Sequence, residues 1–112
     1  MGVHHKNVVA RTACGRLLAD VSRELGSEAI AKAHGQKESK DAVELLFQSA
    51  ALLMCDGSLD VRQQAKRVFS VLLENQEFQT ILRSAVPNHV SQKIRKQLEA
   101  MKPTAVTNSL AE

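Results

Sequence analysis

Hydrophobic positions along this chain step by three and four residues rather than by two, the interval of a helix face and not of a strand. In the first patterned stretch, "NVVARTACGRLLADVSREL", apolar residues recur at Ala10, Cys14, Leu17, Leu18, Val21 and Leu25, which predicts one inward stripe. Gly26 is placed to end that helix, and Ser27 to cap a short successor, "EAIAKAH". The polar stretch from Gly35 to Lys40 reads as a connector. Ser39 or Asp41 then caps "AVELLFQSAALLMC". That segment has Leu45, Leu46, Ser49, Leu52 and Leu53 on one face and Val43, Phe47, Ala50 and Met54 on a second. Apolar around so much of its circumference, it is expected to lie between neighbours.

A tight polar turn follows, and "CDGSLDVRQQAKRVFSVLLEN" runs from it into another amphipathic helix. Asp56 or Ser58 can accept from the free amides at its start, Gly57 relaxes the turn, and Asp60 suits the positive helix end. The predicted core face is Val61, Ala65, Val68, Phe69 and Leu72. Asn75 closes the helix and can cap the next, with Phe78, Ile81, Leu82 and Ala85 inward. Pro87-Asn88 breaks the chain before a last helix with Val90, Ile94, Leu98 and Met101 inward. After Pro103 the tail "TAVTNSLAE" has no partner stripe and is expected to be disordered.

Three of these helices share one layout. Ala10, Arg11, Cys14, Leu17, Leu18 and Val21 superimpose on Val61, Arg62, Ala65, Val68, Phe69 and Leu72, each 51 positions later. Val90, Ile94, Leu98 and Met101 repeat Val61, Ala65, Phe69 and Leu72, each 29 positions later. Helix, tight turn, helix at that spacing predicts an all-α superhelix, a HEAT- or armadillo-like solenoid of about two and a half to three hairpins over residues 1–102. The first long helix has no mate upstream of it, so the chain reads as the C-terminal piece of a longer array or a short form of one.

Composition narrows the function. Of 112 residues, 44% are hydrophobic and only three are aromatic, all Phe, so the core is aliphatic and no platform for stacking bases is expected. Fifteen basic against twelve acidic residues leave a net charge of +3, a bias suited to an acidic protein partner more than to nucleic acid. The apolar run Ala50 to Cys55 is far short of the roughly 20 residues of a membrane span, and no hydrophobic signal core follows Met1. The protein is therefore expected inside the cell, with Cys14 and Cys55 reduced and buried on apolar helix faces.

The turn Asp60-Val61-Arg62 with Ala65 and Phe69 resembles a HEAT repeat, and Ala10-Arg11 with Cys14 and Leu18 is a looser copy. The order of features resembles more closely the end of a TOG domain, in particular those of the TOG-array regulators of axonemal microtubules (the crescerin group). "LLFQSAALLMCDG", an Arg-bearing helix, Asn75 with Phe78, Val86-Pro87, and Ile94 with Leu98 follow one another as they do there, over residues 6 to 102. In that family the turns inside each repeat line a thin edge that binds tubulin. The resemblance thus implies partner contacts at Lys6, Asn7 and Arg11 in a first turn, and at Ser58, Arg62 and Lys66 in and after a second. A third turn, Asn88-His89 with Lys93, belongs to a repeat that usually lies outside the contact. It also implies tubulin or microtubules as partner, with adjacent repeats of a parent protein as a further one, and a cytoskeletal or ciliary setting.

Catalysis and cofactors find no footing. His4, His5, His34 and His89 lack metal-ligand spacing, and Cys14 sits on an apolar stripe, where burial raises a thiol's pKa. Glycine-rich phosphate loops and a nucleophile elbow are missing, and Lys6 breaks the myristoylation pattern at Gly2. The basic strip Lys93, Arg95, Lys96 and Lys102 reads as a solvated face. The competing reading is a scaffold fragment whose helix flanks, above all that of the first helix, dock a peptide or another helix without tubulin affinity.

Overall fold

The computed structural model describes residues 7–101, which form six helices and, among themselves, no strand. They are α1 (Val8–Leu25), α2 (Ser27–His34), α3 (Lys40–Met54), α4 (Leu59–Leu72), α5 (Phe78–Ala85) and α6 (Asn88–Met101). The fold is all-α, as the spacing of apolar residues predicts. Lys6, and the tail expected to be disordered, lie outside the described residues.

Helix ends follow from local chemistry, with some changes of actor. Asn7 caps α1, its Oδ1 accepting from the Val9 N–H at 2.8 Å. Gly26 ends α1 at φ 84°, a left-handed backbone that an L side chain resists, and the same residue starts α2. Ser27 is thus the first residue of α2 and not its cap. Ser39 precedes α3 but turns its hydroxyl back, donating to the Ala33 carbonyl at 2.7 Å, so the connector is tied to α2. Asn75 behaves as expected, accepting from the Glu77 N–H at 2.8 Å just ahead of α5.

The core gathers around the three phenylalanines. Phe47 on α3 and Phe69 on α4 both meet Phe78 on α5, at ring-centroid distances of 5.8 and 6.0 Å, the second pair edge to face. Every predicted inward residue of α4 and α5 is buried, from Val61 to Ala85. On α6, Ile94 and Leu98 are buried, and Val90 and Met101 pack at the margin. The helices sit in two rows compatible with an α-α superhelix: α1 lies along α4, and α3 beside α5. One departure concerns α6, which packs chiefly on α3 and α5 instead of repeating the α1–α4 contact. The face it would need on α4 is already closed, with Val61, Ala65, Val68 and Phe69 fully buried.

The largest correction concerns α1. Its predicted inward stripe is half in the open: Leu17 is 59% exposed, Leu25 57% and Val21 43%. The face that packs on α4 carries small residues instead, with Gly15, Leu18, Ala19 and Ser22 buried. A Cβ on Gly15 would stand 2.7 Å from the Gln64 Cβ, so the two helices approach to backbone range. Small residues allow that approach and leucines do not, which is why the leucine stripe turns outward. Ser22 pays for its place with a buried hydroxyl that has no hydrogen-bond partner. Leu45 and Leu52 on α3 are likewise exposed, against expectation. So is Cys55, because α3 stops at Met54 and leaves it on the turn, while Cys14 is half-buried and both thiols are free.

Candidate functional site

Asp56 is where α1, the α3–α4 turn and α4 meet, while the third turn named from the sequence, Asn88-His89, lines a different hollow with Gln48, Leu52 and Arg83. The Asp56 Oδ1 accepts from the Ser58 N–H at 2.8 Å, folding the α3–α4 turn onto itself. From α1, Arg11 reaches across with Nε at 2.7 Å from Oδ2 and Nη2 at 3.3 Å from Oδ1, a two-pronged pair. From one turn inside α4, Arg62 Nη1 donates to the Asp56 carbonyl oxygen at 2.8 Å. Both charged partners are largely covered, with side-chain exposure of 17% for Arg11 and 12% for Asp56.

Partial burial works against the charge on Asp56. The Ser58 amide, the Arg11 hydrogen bonds and the fields of Arg11 and Arg62 outweigh it and hold the carboxyl below its ordinary value.

This hub fixes the geometry of one edge of the molecule. Pairing continues along α1 and α4 through Gly15 against Gln64 and through Arg67 Nη2 to Asp20 Oδ1 at 3.2 Å, so the two helices run parallel. Their N-terminal ends therefore stand side by side. Lys93 and Gln97 of α6 share an open hollow with Met54, Cys55, Asp56 and Arg62, which brings the middle of α6 to the same edge, while its first residues, Asn88 to Val90, line a separate hollow with Gln48 and Leu52 of α3. The N-termini of α1 and α4 thus stand at one edge, with Arg62 and, from the middle of α6, Lys93 beside the Asp56 turn, and Lys66 one turn beyond Arg62 on α4.

The predicted residues divide by what they do there. Lys66 is exposed on α4, and Asn7 is exposed at the start of α1 with its carboxamide engaged as a cap. Ser58 holds the N-cap position of α4 without a side-chain cap bond, and its part in the site is its backbone amide. Arg11 and Arg62 are occupied with the Asp56 turn, so the structure assigns them the joining of α1, α3 and α4. Sequence reasoning placed Asp56 in the turn but missed its role as an anchor across 45 residues, for which no local pattern exists. Lys93 is exposed and lines the open hollow beside the second turn.

A second polar cluster lies away from this rim. Glu44 Oε2 meets His34 Nε2 at 2.9 Å and accepts from Ser84 Oγ at 2.8 Å, tying α2 and α5 to α3. The His34 and Ser84 hydrogen bonds lower the Glu44 pKa against a smaller effect of burial. Serine and histidine share one carboxylate oxygen here, which makes a tether and not a nucleophile with its base. Among the described residues no three His, Cys, Asp or Glu side chains are grouped to hold a metal ion, and no helix is long and apolar enough to cross a membrane.

No family model matches the chain, and no solved structure matches it.

Proposed function

We propose that the chain is a non-catalytic, tubulin-binding helical-repeat module that acts on microtubules, those of cilia in particular. The observation that supports this reading is the rim: the N-terminal ends of α1 and α4 side by side, with exposed Lys93 of α6 beside the Asp56 turn and exposed Lys66 one turn beyond Arg62 on α4. A row of helix N-termini and lysines is the electrostatic complement of an acidic protein surface such as tubulin's. Arg11 and Arg62 serve by keeping the row in line, and the lysines make the contact. Charge at such an edge acts mainly through the rate of encounter, and several modules in series would supply affinity by effective concentration.

Reversing both lysines, Lys66→Glu with Lys93→Glu, tests the reading by co-migration with soluble tubulin and co-sedimentation with microtubules. Binding weaker by roughly tenfold or more, with an unchanged melting temperature, is the expected result. Parent and variant binding alike would remove tubulin recognition from this rim. Arg11→Glu should instead lower the melting temperature, since it unties α1 from the Asp56 turn.

A further inference from the structure

The basic strip read along α6 divides in the structure. Lys93 lines the hollow beside the Asp56 turn, whereas Arg95, about 200° further round the helix, lines a groove with Arg83 of α5. Buried Leu82 and Leu98 floor that groove, exposed Gln79, Asn88 and Gln92 complete its walls, and Glu99 closes one end. Among the described residues Arg83 has no acidic partner, and Arg95 has Glu99 alone, at 3.4 Å with both side chains mostly in solvent. The charge balance singles out the same place. Phe78 to Met101 carry four basic residues against one acidic, which accounts for the net +3 of the whole sequence.

We infer that the α5–α6 groove is a docking site for an extended acidic peptide, separate from the Asp56 rim. Two guanidinium forks match the planar carboxylates of Asp and Glu. The carboxamides of Gln79, Asn88 and Gln92 both donate and accept, as the wall beside a peptide backbone must. Length agrees, since the helix from Asn88 to Glu99 spans about 16 Å, room for about five residues of extended chain. Other polyanions fit less well. Phe78 is buried and neither helix carries another Phe, Trp or Tyr, so the bases of a single strand find no stacking platform. Among the described residues neither helix exposes a large hydrophobic side chain to enter a lipid surface. Glu99 opposes the closely spaced charges of a phosphate backbone, whereas a peptide can set an uncharged residue against it.

Fluorescence anisotropy tests this, with the 112-residue chain titrated into a fluorescein-labelled peptide of alternating Glu and Gly about ten residues long. Saturable binding is the expected result. Arg83→Gln with Arg95→Gln should weaken it by about tenfold or more, with the circular dichroism spectrum and melting temperature unchanged. Arg16→Gln with Lys32→Gln removes the same charge from exposed positions on α1 and α2, and should bind within about threefold of the parent. The rim variant, Lys66→Glu with Lys93→Glu, should do likewise, so that loss of the peptide and loss of tubulin are separate results. Absence of saturable binding would overturn the inference. So would a loss in either control as large as that in the arginine variant, since net charge or the rim would then account for the binding. Tighter binding of duplex DNA of about twelve base pairs, or of phosphatidylserine vesicles, abolished by the same arginine substitutions, would assign the groove to phosphate and likewise overturn it.

Discussion

The two ends of the molecule are finished differently. At the α6 end, Ile94 and Leu98 press onto α3 and α5, and the outer surface is polar. At the α1 end, the helix is fastened through glycine, alanine and serine, and its leucines look outward. One end is closed by burying methyl groups, whereas the other is held by close backbone approach and by the Arg11–Asp56 pair. The difference shows that an apolar stripe reports what a helix can bury, and the shape of its neighbour decides which face is buried.

The sharpest way to break this comparison is to truncate one large side chain at each end. Phe69→Ala, at the junction of α3, α4 and α5, is expected to destabilise by about 3–5 kcal/mol. Leu17→Ala should stay within ~0.5 kcal/mol in a monomeric sample. Urea denaturation of both variants checks the pair, and similar losses would mean that α1 buries its leucines after all. A smaller effect probes the seam itself. Gly15→Val drives a branched side chain against Gln64, where a Cβ already finds 2.7 Å, and should cost about 2 kcal/mol. Gly57→Ala, with open space around it, is the control and should change little.

The smallest effect is electrostatic. Asp56 titrates lower in the folded protein than its ordinary value of 3.8. Its contribution to stability is therefore complete above that value and is lost as pH falls through the folded pKa. Asp56→Asn keeps an acceptor for the Ser58 amide and removes the charge. The parent should exceed it by about 1 kcal/mol at neutral pH, and the gap should close as pH drops below 3.8. Thermal melts from about pH 2.5 to 7 follow this, and a gap that persisted in acid would make the Arg11 tie irrelevant to the hold on α1.

How much of this was legible beforehand depends on the element. On α4 and α5 the apolar period and the buried face coincide at every position, because large side chains fill the space between the rows. On α1 the buried face is written in Gly15, Ala19 and Ser22, residues with little hydrophobic signal, and the leucines beside them drew the prediction to the wrong side. The rim was legible in part. Turn positions and their arginines could be read from local order, and Arg11 and Arg62 do converge on the Asp56 turn. That Arg11 would be taken up by Asp56 could not be read, since the two are brought together only by the α1–α4 packing. The same holds for the Glu44 tether, whose members are 10 and 40 residues apart.

The knot at Asp56 bears on the thermodynamics of any encounter at that edge. Ser58, Arg11 and Arg62 are already immobilised by it, so the loop and both guanidinium groups have surrendered their freedom during folding. Among the described residues, the flexible stems left for an incoming surface to still there are those of Lys66 and Lys93. The side-chain share of the entropy lost there is correspondingly small, beside the translational and rotational freedom that any association removes.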